Sequence, residues 1–359
     1  MGRTTSRRLT SEHCSKGLIA NMRRTTAKIG LLLALVLVAS IAAACGSGDD
    51  NTLTVYSGRS SSLVQPLFDQ FAEETGINIR VRYGSSAGLV ALLLEEGDSS
   101  PADVAFLQDA GALGALANNG LLVSLPDALL HQVDSKFRSS DGLWVGTSGR
   151  ARTVIYNVFA VDPDRDLPAS LLDFTAPEWK GRIGWAPTNG SFQAFVTALR
   201  LIEGDEVARA WLEGMNANDA KIYPNNTMIV DATARGEIDA GLVNHYYLHR
   251  FLEEHGEGFA ARNHFYASDA GALINVAGVG ALETSEASTL AERFVEFLLS
   301  PTAQTFFAEE TAEYPLIDGI NPVGGVPPLA SLDPPDVDLN NLDDLRGTLA
   351  LMREAGVLP

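Results

Sequence analysis

The chain has 359 residues, with 26 Lys and Arg against 45 Asp and Glu and a formal net charge of −19. A surface this acidic repels nucleic acid and anionic lipid faces, which excludes both as partners. Its length and 46% apolar content are enough for two compact lobes.

The first 44 residues read as a targeting segment and not as part of the fold. Arg23, Arg24 and Lys28 precede an apolar run from Ile29 to Ala44 that ends AAAC at Cys45. A basic region, a short apolar core and small residues before a cysteine form a bacterial lipoprotein signal, with Cys45 as the lipidated residue. The run is short for a membrane span. Met22 offers a second start, which would leave 1–21 untranslated, and the residues around Arg23-Arg24 fit twin-arginine export poorly. Without 1–44 the chain keeps 19 basic residues against 44 acidic ones, a net charge of −25. Cys14 falls in the removed part, so Cys45 stands alone and no internal disulfide is expected. Residues 45–51 then form a polar tether.

From Leu53, LTVYSGR reads as a strand running into a glycine turn, and SSLVQPLFDQFAEETG as a helix with Gly76 as its stop. INIRVRY alternates as a strand, AGLVALLLEEG is a helix, ADVAFL a short buried strand, and DAGALGALANNG a helix capped by Asp109. Strands alternating with helices predict an α/β lobe with a largely parallel sheet. Ligands of such sheets sit beyond the carboxyl ends of the strands, which selects the loops at 56–60, 83–88 and 106–111. RTVIYN and RIGWAP are further strands, and SFQAFVTALRLIEG is a helix opened by Gly190 and Ser191, with backbone N–H groups free for an anion. GLVNHYYLHR ends a buried strand at Leu242 and Val243 and begins a helix at Leu248, so Tyr246 and Tyr247 lie on the junction. There both phenols are able to face one cleft, to pack or to hold a ligand. LINVAGVGAL carries the chain back to the first lobe; two helices then break at Ser300-Pro301, and LDDLRGTLALMREAGVLP closes the chain.

Several shorter patterns compete for attention. His245 and His249 are spaced i, i+4 as for a shared zinc, but no third ligand has matching spacing. His255 and His264 read as solvated. Tyr56 points either to the cleft or into the sheet. GSSAG, residues 84–88, puts Ser86 in a G-x-S-x-G pattern between a strand and a helix, as in a serine hydrolase, although no HGGG-like segment accompanies it. GALGAL and GVGAL lack the full dinucleotide fingerprint.

The order of segments carries a resemblance. TVYSGR, SPADVAFLQDAGALGAL, GRARTVIYN, WKGRIGWAPTNGSFQAF, GEIDAGLVNHYY and FLLSPTAQTFFAEETAEYPL together resemble bacterial periplasmic ferric-iron-binding proteins, the substrate-binding components of iron ABC transporters. The fold this resemblance implies is α/β, the two-lobed type II periplasmic binding protein, also called transferrin-like, each lobe a mixed, largely parallel sheet flanked by helices. Lobe 1 is expected at 52–149 with 277–327 and lobe 2 at 150–276 with 328–359, hinged near 134–153 and 272–280.

The resemblance implies Tyr246 and Tyr247 as ferric ligands. The cargo is then Fe(III) with a synergistic anion: carbonate, phosphate or citrate. Gly190, Ser191, Asn226, Asn244, Arg152 and Arg59 match positions that bind the anion in similar proteins. Ser60 and Ser61 stand where many relatives carry His or His-Tyr, and Gln108 stands where some carry a glutamate ligand. Lobe 1 is therefore expected to offer a neutral donor, Gln108, and no anionic one. The implied protein is a monomeric lipoprotein, not an enzyme, at the outer face of the cytoplasmic membrane or in the periplasm, delivering cargo to an ABC permease. A small organic solute such as a phosphonate, thiamine or a polyamine is the alternative cargo, and a serine hydrolase using Ser86 the alternative of another class.

Overall fold

The computed structural model describes residues 51–358 together with Gly2, so the signal segment, Cys45 and most of the tether lie outside the described residues. Residues from Asn51 onward form one compact unit. It opens with β1 (Thr52–Ser57), α1 (Ser61–Thr75), β2 (Asn78–Tyr83), α2 (Ser86–Glu96), β3 (Val104–Leu107) and α3 (Ala110–Asn118). β1 runs parallel to both β2 and β3, as the alternation of strand and helix requires. The period-2 pattern of β2 is half-exposed throughout, in keeping with its place at the sheet edge.

β4 (Val145–Asn157) is longer than RTVIYN alone predicts. Its first half, VGTSGRA, has no apolar alternation because glycines meet neighbouring elements at close range. A Cβ on Gly146 would stand 2.5 Å from the Phe137 carbonyl oxygen, so only glycine fits there. β4 joins two halves of one ten-stranded sheet. Its first half pairs antiparallel with β9 (Ile274–Ala281), which in turn pairs with β3. Its second half pairs antiparallel with β7 (Ala240–Asn244) and β8 (Ala261–His264).

Beyond β7 the sheet becomes parallel again through β5 (Ile183–Trp185) and β6 (Lys221–Ile222). Around it lie α4 (Gly190–Glu203), α5 (Asp205–Ala217), α6 (Asn226–Ala234) and α7 (Tyr247–His255). α8 (Ser288–Leu298) and α9 (Pro301–Glu309) are broken where expected: Ser300 caps α9 and Pro301 takes its first position, where a missing N–H costs nothing. β10 (Tyr314–Pro315) then pairs with the first half of β4.

Each half of the sheet has its own aromatic core. Phe68, Phe71, Phe106, Phe294 and Phe297 interlock edge to face in the first half. Trp185, Phe192, Phe195 and Trp211 do so in the second. Such pairs add about 0.5–1.5 kcal/mol each beyond the area they bury.

The final stretch touches both halves. Residues Leu339–Asp343 lie against α3, where Trp144 Nε1 donates to Asn340 Oδ1 at 2.7 Å. The closing helix α10 (Leu345–Glu354) packs on α4, with the Thr197 and Thr348 hydroxyls 2.7 Å apart. Contact with α3 depends on two glycines one turn apart. A Cβ on Gly111 or Gly114 would meet the carbonyl oxygen of Leu342 or Asn340 at 2.3 Å.

Gly114→Ala is therefore expected to destabilise the protein. The helical propensity gain of roughly 1 kcal/mol is outweighed by displacement of a backbone segment, for a net loss of about 1–2 kcal/mol. Urea denaturation reads this as a lower midpoint at unchanged slope; a raised midpoint would mean that 339–343 yields without cost.

Candidate metal and anion site

β7 ends at Asn244, and the chain turns through His245 and Tyr246 into α7, which begins at Tyr247. The turn places adjacent tyrosines on the same side. Their rings stack with centroids 4.4 Å apart and planes 29° from parallel. Both line a pocket of about 280 Å³ with Arg59, Gln108, Arg250 and Glu313. The phenols thus face a pocket and are not sunk in the core. Burial raises the pKa of Tyr246, and the adjacent Tyr247 and Glu313 push the same way against Arg150. Left alone, Tyr246 holds its proton.

Under the junction lies His245. It is buried, its Nδ1 accepts from the Ala151 N–H at 3.2 Å, and its Nε2 donates to the Ala312 carbonyl at 3.0 Å. Desolvation lowers its pKa to about 4, so it is neutral and fully used in tying the turn to β4 and to the end of α9. His249 Nε2 lies 3.3 Å from Glu253 Oε1, and among the described residues no three His, Cys, Asp or Glu cluster as a metal site. The i, i+4 histidines do not form a zinc pair.

A second, larger cavity of about 500 Å³ lies beside the first, and Gln108 lines both. Arg152, Gly190, Ser191 and Asn244 line this one. β4 and β7 bring Arg152 and Asn244 together because the two are direct partners in the antiparallel register. Arg152 is 2% exposed, yet none of its three guanidinium nitrogens has a hydrogen-bond partner. It rests over the rings of Phe192 and Phe195, at 5.4 and 5.2 Å from their centroids. Burial lowers its pKa to about 9, and the charges of Tyr247 and Tyr246 act in the opposite direction. Idle donors on a buried cation suit an anionic acceptor, because charge-assisted hydrogen bonds are the strong ones.

Three expectations need correction. The Ser191 N–H is not free: Asn189 caps α4 and accepts from it at 2.9 Å, and the Ser191 hydroxyl donates to the same oxygen at 2.6 Å. Asn226 is buried at the start of α6, donating to Ser191 Oγ at 3.4 Å while its Oδ1 has no partner, and it does not line the cavity itself. Arg59 lines the tyrosine pocket and not the Arg152 cavity, and it is partly engaged there: its Nη2 holds both oxygens of Glu313 at 2.9 and 3.0 Å, while its Nε has no partner.

Glu313 is a group at this pocket that the sequence reading did not single out. It is a carboxylate lining the tyrosine pocket, buried, and bonded by the Ser148 hydroxyl at 2.6 Å. Only its membership in the EETAEYPL segment hinted at it; a pair 254 residues apart leaves no local pattern. Arg150 was legible in principle. It lies two residues before Arg152, hence on the same face of β4, and its Nη2 donates to the Gln108 carbonyl oxygen.

The remaining candidates are structural. Asp109 caps α3 as expected, accepting from the Ala112 N–H at 2.9 Å. Tyr56 turns into the sheet and donates to Glu96 at 3.0 Å. The Ser86 hydroxyl accepts from the Gln108 N–H at 2.9 Å, and no histidine lines its cavity among the described residues. Nothing there activates a nucleophile.

A clefted α/β unit, crossed by long strands and holding an unpaired cation beside two phenols, defines a solute receptor. The chain belongs to the family of bacterial extracellular solute-binding proteins, whose pattern matches residues 53–310. It is 33% identical over 334 residues to the major ferric iron-binding protein of Neisseria meningitidis, covering 92% of this chain and 99% of that protein. Iron-bound HitA from Pseudomonas aeruginosa is similar in structure, with a TM-score of 0.78 at 36% identity over 85% of this chain and 99% of that one. So is the Trichodesmium protein IdiA (FutA) in complex with iron and citrate, with a TM-score of 0.76 at 28% identity over 86% and 100%. The two-lobed fold expected from the resemblance is the fold observed.

The Arg59–Glu313 pair yields a stability prediction. Burial raises the Glu313 pKa, but Arg59, Arg150 and the Ser148 hydroxyl lower it further, so the net shift is downward. A depressed folded-state pKa means that the pair's contribution is present above the ordinary carboxylate range and is lost as pH falls through the folded value. Glu313→Gln strands a buried cation and is expected to cost about 3–5 kcal/mol near neutral pH. Urea midpoints measured against pH should show the variant without this acid limb, whereas parallel curves would assign the limb to other groups.

Proposed function

We propose that this chain captures ferric iron together with an anion between two lobes and hands both to an ABC permease in the membrane. The observation that carries the reading is the stacked pair Tyr246 and Tyr247 facing a pocket beside the unpartnered guanidinium of Arg152. Ferric iron is a hard cation that prefers anionic oxygen donors. A trivalent ion at the phenols reverses the electrostatics that hold the proton on Tyr246, because its charge favours both phenolates. Two phenolates leave one unit of positive charge, and Arg152 adds another, so the site demands a companion anion. Carbonate, phosphate and citrate all meet that charge requirement.

Roles follow from placement. Tyr246 and Tyr247 ligate the metal, and Gln108 supplies a neutral oxygen from the first lobe. Arg152, Asn244, Gly190 and Ser191 surround the anion, with Asn226 holding the Ser191 hydroxyl in place. Lobe 1 comprises 52–149 with 277–327, and lobe 2 comprises 150–276 with 328–359. They flex about β4 and β9, and cargo biases the closed state that the permease reads. The receptor acts as a monomer, tethered through a lipid on Cys45 outside the cytoplasmic membrane. Loss of the anion or protonation of the phenolates releases the metal.

Adding ferric citrate to metal-free protein is expected to raise a phenolate-to-iron band in the visible region, and the double variant Tyr246→Phe, Tyr247→Phe to abolish it. A band of undiminished strength in that variant would move the metal elsewhere.

A further inference from the structure

His245 completes a ladder with its side chain. The last pair between β4 and β7 is Arg152 opposite Asn244, so the next would be Ala151 opposite His245. A hydrogen-bonded antiparallel pair exchanges two bonds from N–H to carbonyl. Here the backbone makes one of them, from the His245 N–H to the Ala151 carbonyl at 3.1 Å. The ring replaces the other: Nδ1 accepts from the Ala151 N–H at 3.2 Å, and the His245 carbonyl accepts instead from Asn263 Nδ2 at 2.8 Å. With that carbonyl out of the ladder, the chain turns into α7 and brings Tyr246 and Tyr247 to their pocket.

The second ring nitrogen reaches a segment far along the chain. An accepting Nδ1 leaves the proton of a neutral imidazole on Nε2, which donates to the Ala312 carbonyl at 3.0 Å. Ala312 has a φ of 52°, a left-handed conformation that a residue with a Cβ keeps only where its surroundings impose it. Its neighbours Thr311 and Glu313 line the same pocket as the tyrosines. The Tyr314 ring lies 4.6 Å from the imidazole, centroid to centroid. On the lobe boundaries proposed above, Ala312 belongs to lobe 1 and Tyr246 to lobe 2.

We propose that His245 is a positioning residue for the ferric site, and that its bond to Ala312 slows loss of the metal. It holds the segment 311–313 and the turn bearing Tyr246 in one fixed relation, so that the two sides of the pocket part only when this bond breaks. This rests on the ferric reading above and adds to it a residue that touches no ligand.

Two substitutions separate the two ring bonds. In His245→Gln the amide nitrogen reaches the place of Nε2 and keeps the donor to Ala312. In His245→Asn the amide oxygen stands at Nδ1 and keeps only the acceptor for Ala151. Iron-loaded protein is mixed with excess chelator and the decay of the visible band is timed. Release is expected to be at least tenfold faster in His245→Asn and within threefold of the unsubstituted rate in His245→Gln. Equal rates in all three proteins, or equal acceleration in both variants, overturn the inference while leaving the ferric reading intact. If the unsubstituted protein gives no colour with ferric ion, the ferric reading fails, and amide exchange of the metal-free proteins decides the bridge. Faster exchange at 244–248 and 311–314 together in His245→Asn but not in His245→Gln upholds it; the same exchange in both variants overturns it. Should His245→Asn not fold, ¹⁵N-histidine spectra of the unsubstituted protein replace it. A buried imidazole N–H that gallium(III) protects further from exchange upholds the bridge, and protection unchanged by gallium overturns it.

Discussion

Residue 152 faces residue 244 across one antiparallel ladder, and the whole site follows from that register. It sets the guanidinium of β4 beside the turn that ends β7, three residues before the phenol pair is complete. Shifting the pairing by one residue would send Arg150 and Arg152 to the opposite face of the sheet and part the cation from the tyrosines. The register is protected on both sides. β8 pairs with the same stretch of β4, and His245 ties the turn to Ala151 and Ala312.

The electrostatics of the site are complementary gaps. Arg152 is a buried cation without an acceptor, an arrangement that costs several kcal/mol until an anion arrives. Tyr246 is a half-buried phenol whose surroundings oppose ionisation. Either deficit alone would be a flaw in a folded protein. Side by side they suit the proposed capture of a cation and an anion together, each partner relieving the other's electrostatic deficit. Arg59 and Glu313 show the contrast: a buried ion pair, joined through Arg59 Nη2 and held by Ser148, at the edge of the tyrosine pocket.

Much of this was legible in the sequence. Apolar periodicity marked the helices α1, α4 and α8, and Pro301 and Asp109 marked helix starts by chemistry that needs no tertiary context. The tyrosines could be placed on a strand-to-helix junction because Leu242 and Val243 alternate as a strand while Leu248, Phe251 and Leu252 repeat as a helix. What stayed hidden depended on distant contacts. The first half of β4 carries glycines where other elements come close, which erases its pattern. The Glu313 partner of Arg59 lies at the far end of the chain. Asn189 takes the Ser191 N–H, a competition that the motif Thr-Asn-Gly-Ser permits but does not announce.

The central claim is that a bound trivalent ion strips the protons from Tyr246 and Tyr247. Gallium(III), which shares the charge and ligand preference of ferric iron without its visible absorption, tests this most directly. The ultraviolet difference spectrum of metal-free protein on adding gallium counts the phenols ionised per ion. Two are expected in the unsubstituted protein and one in Tyr246→Phe or Tyr247→Phe alone. Saturable gallium binding with no phenolate signal would contradict the account.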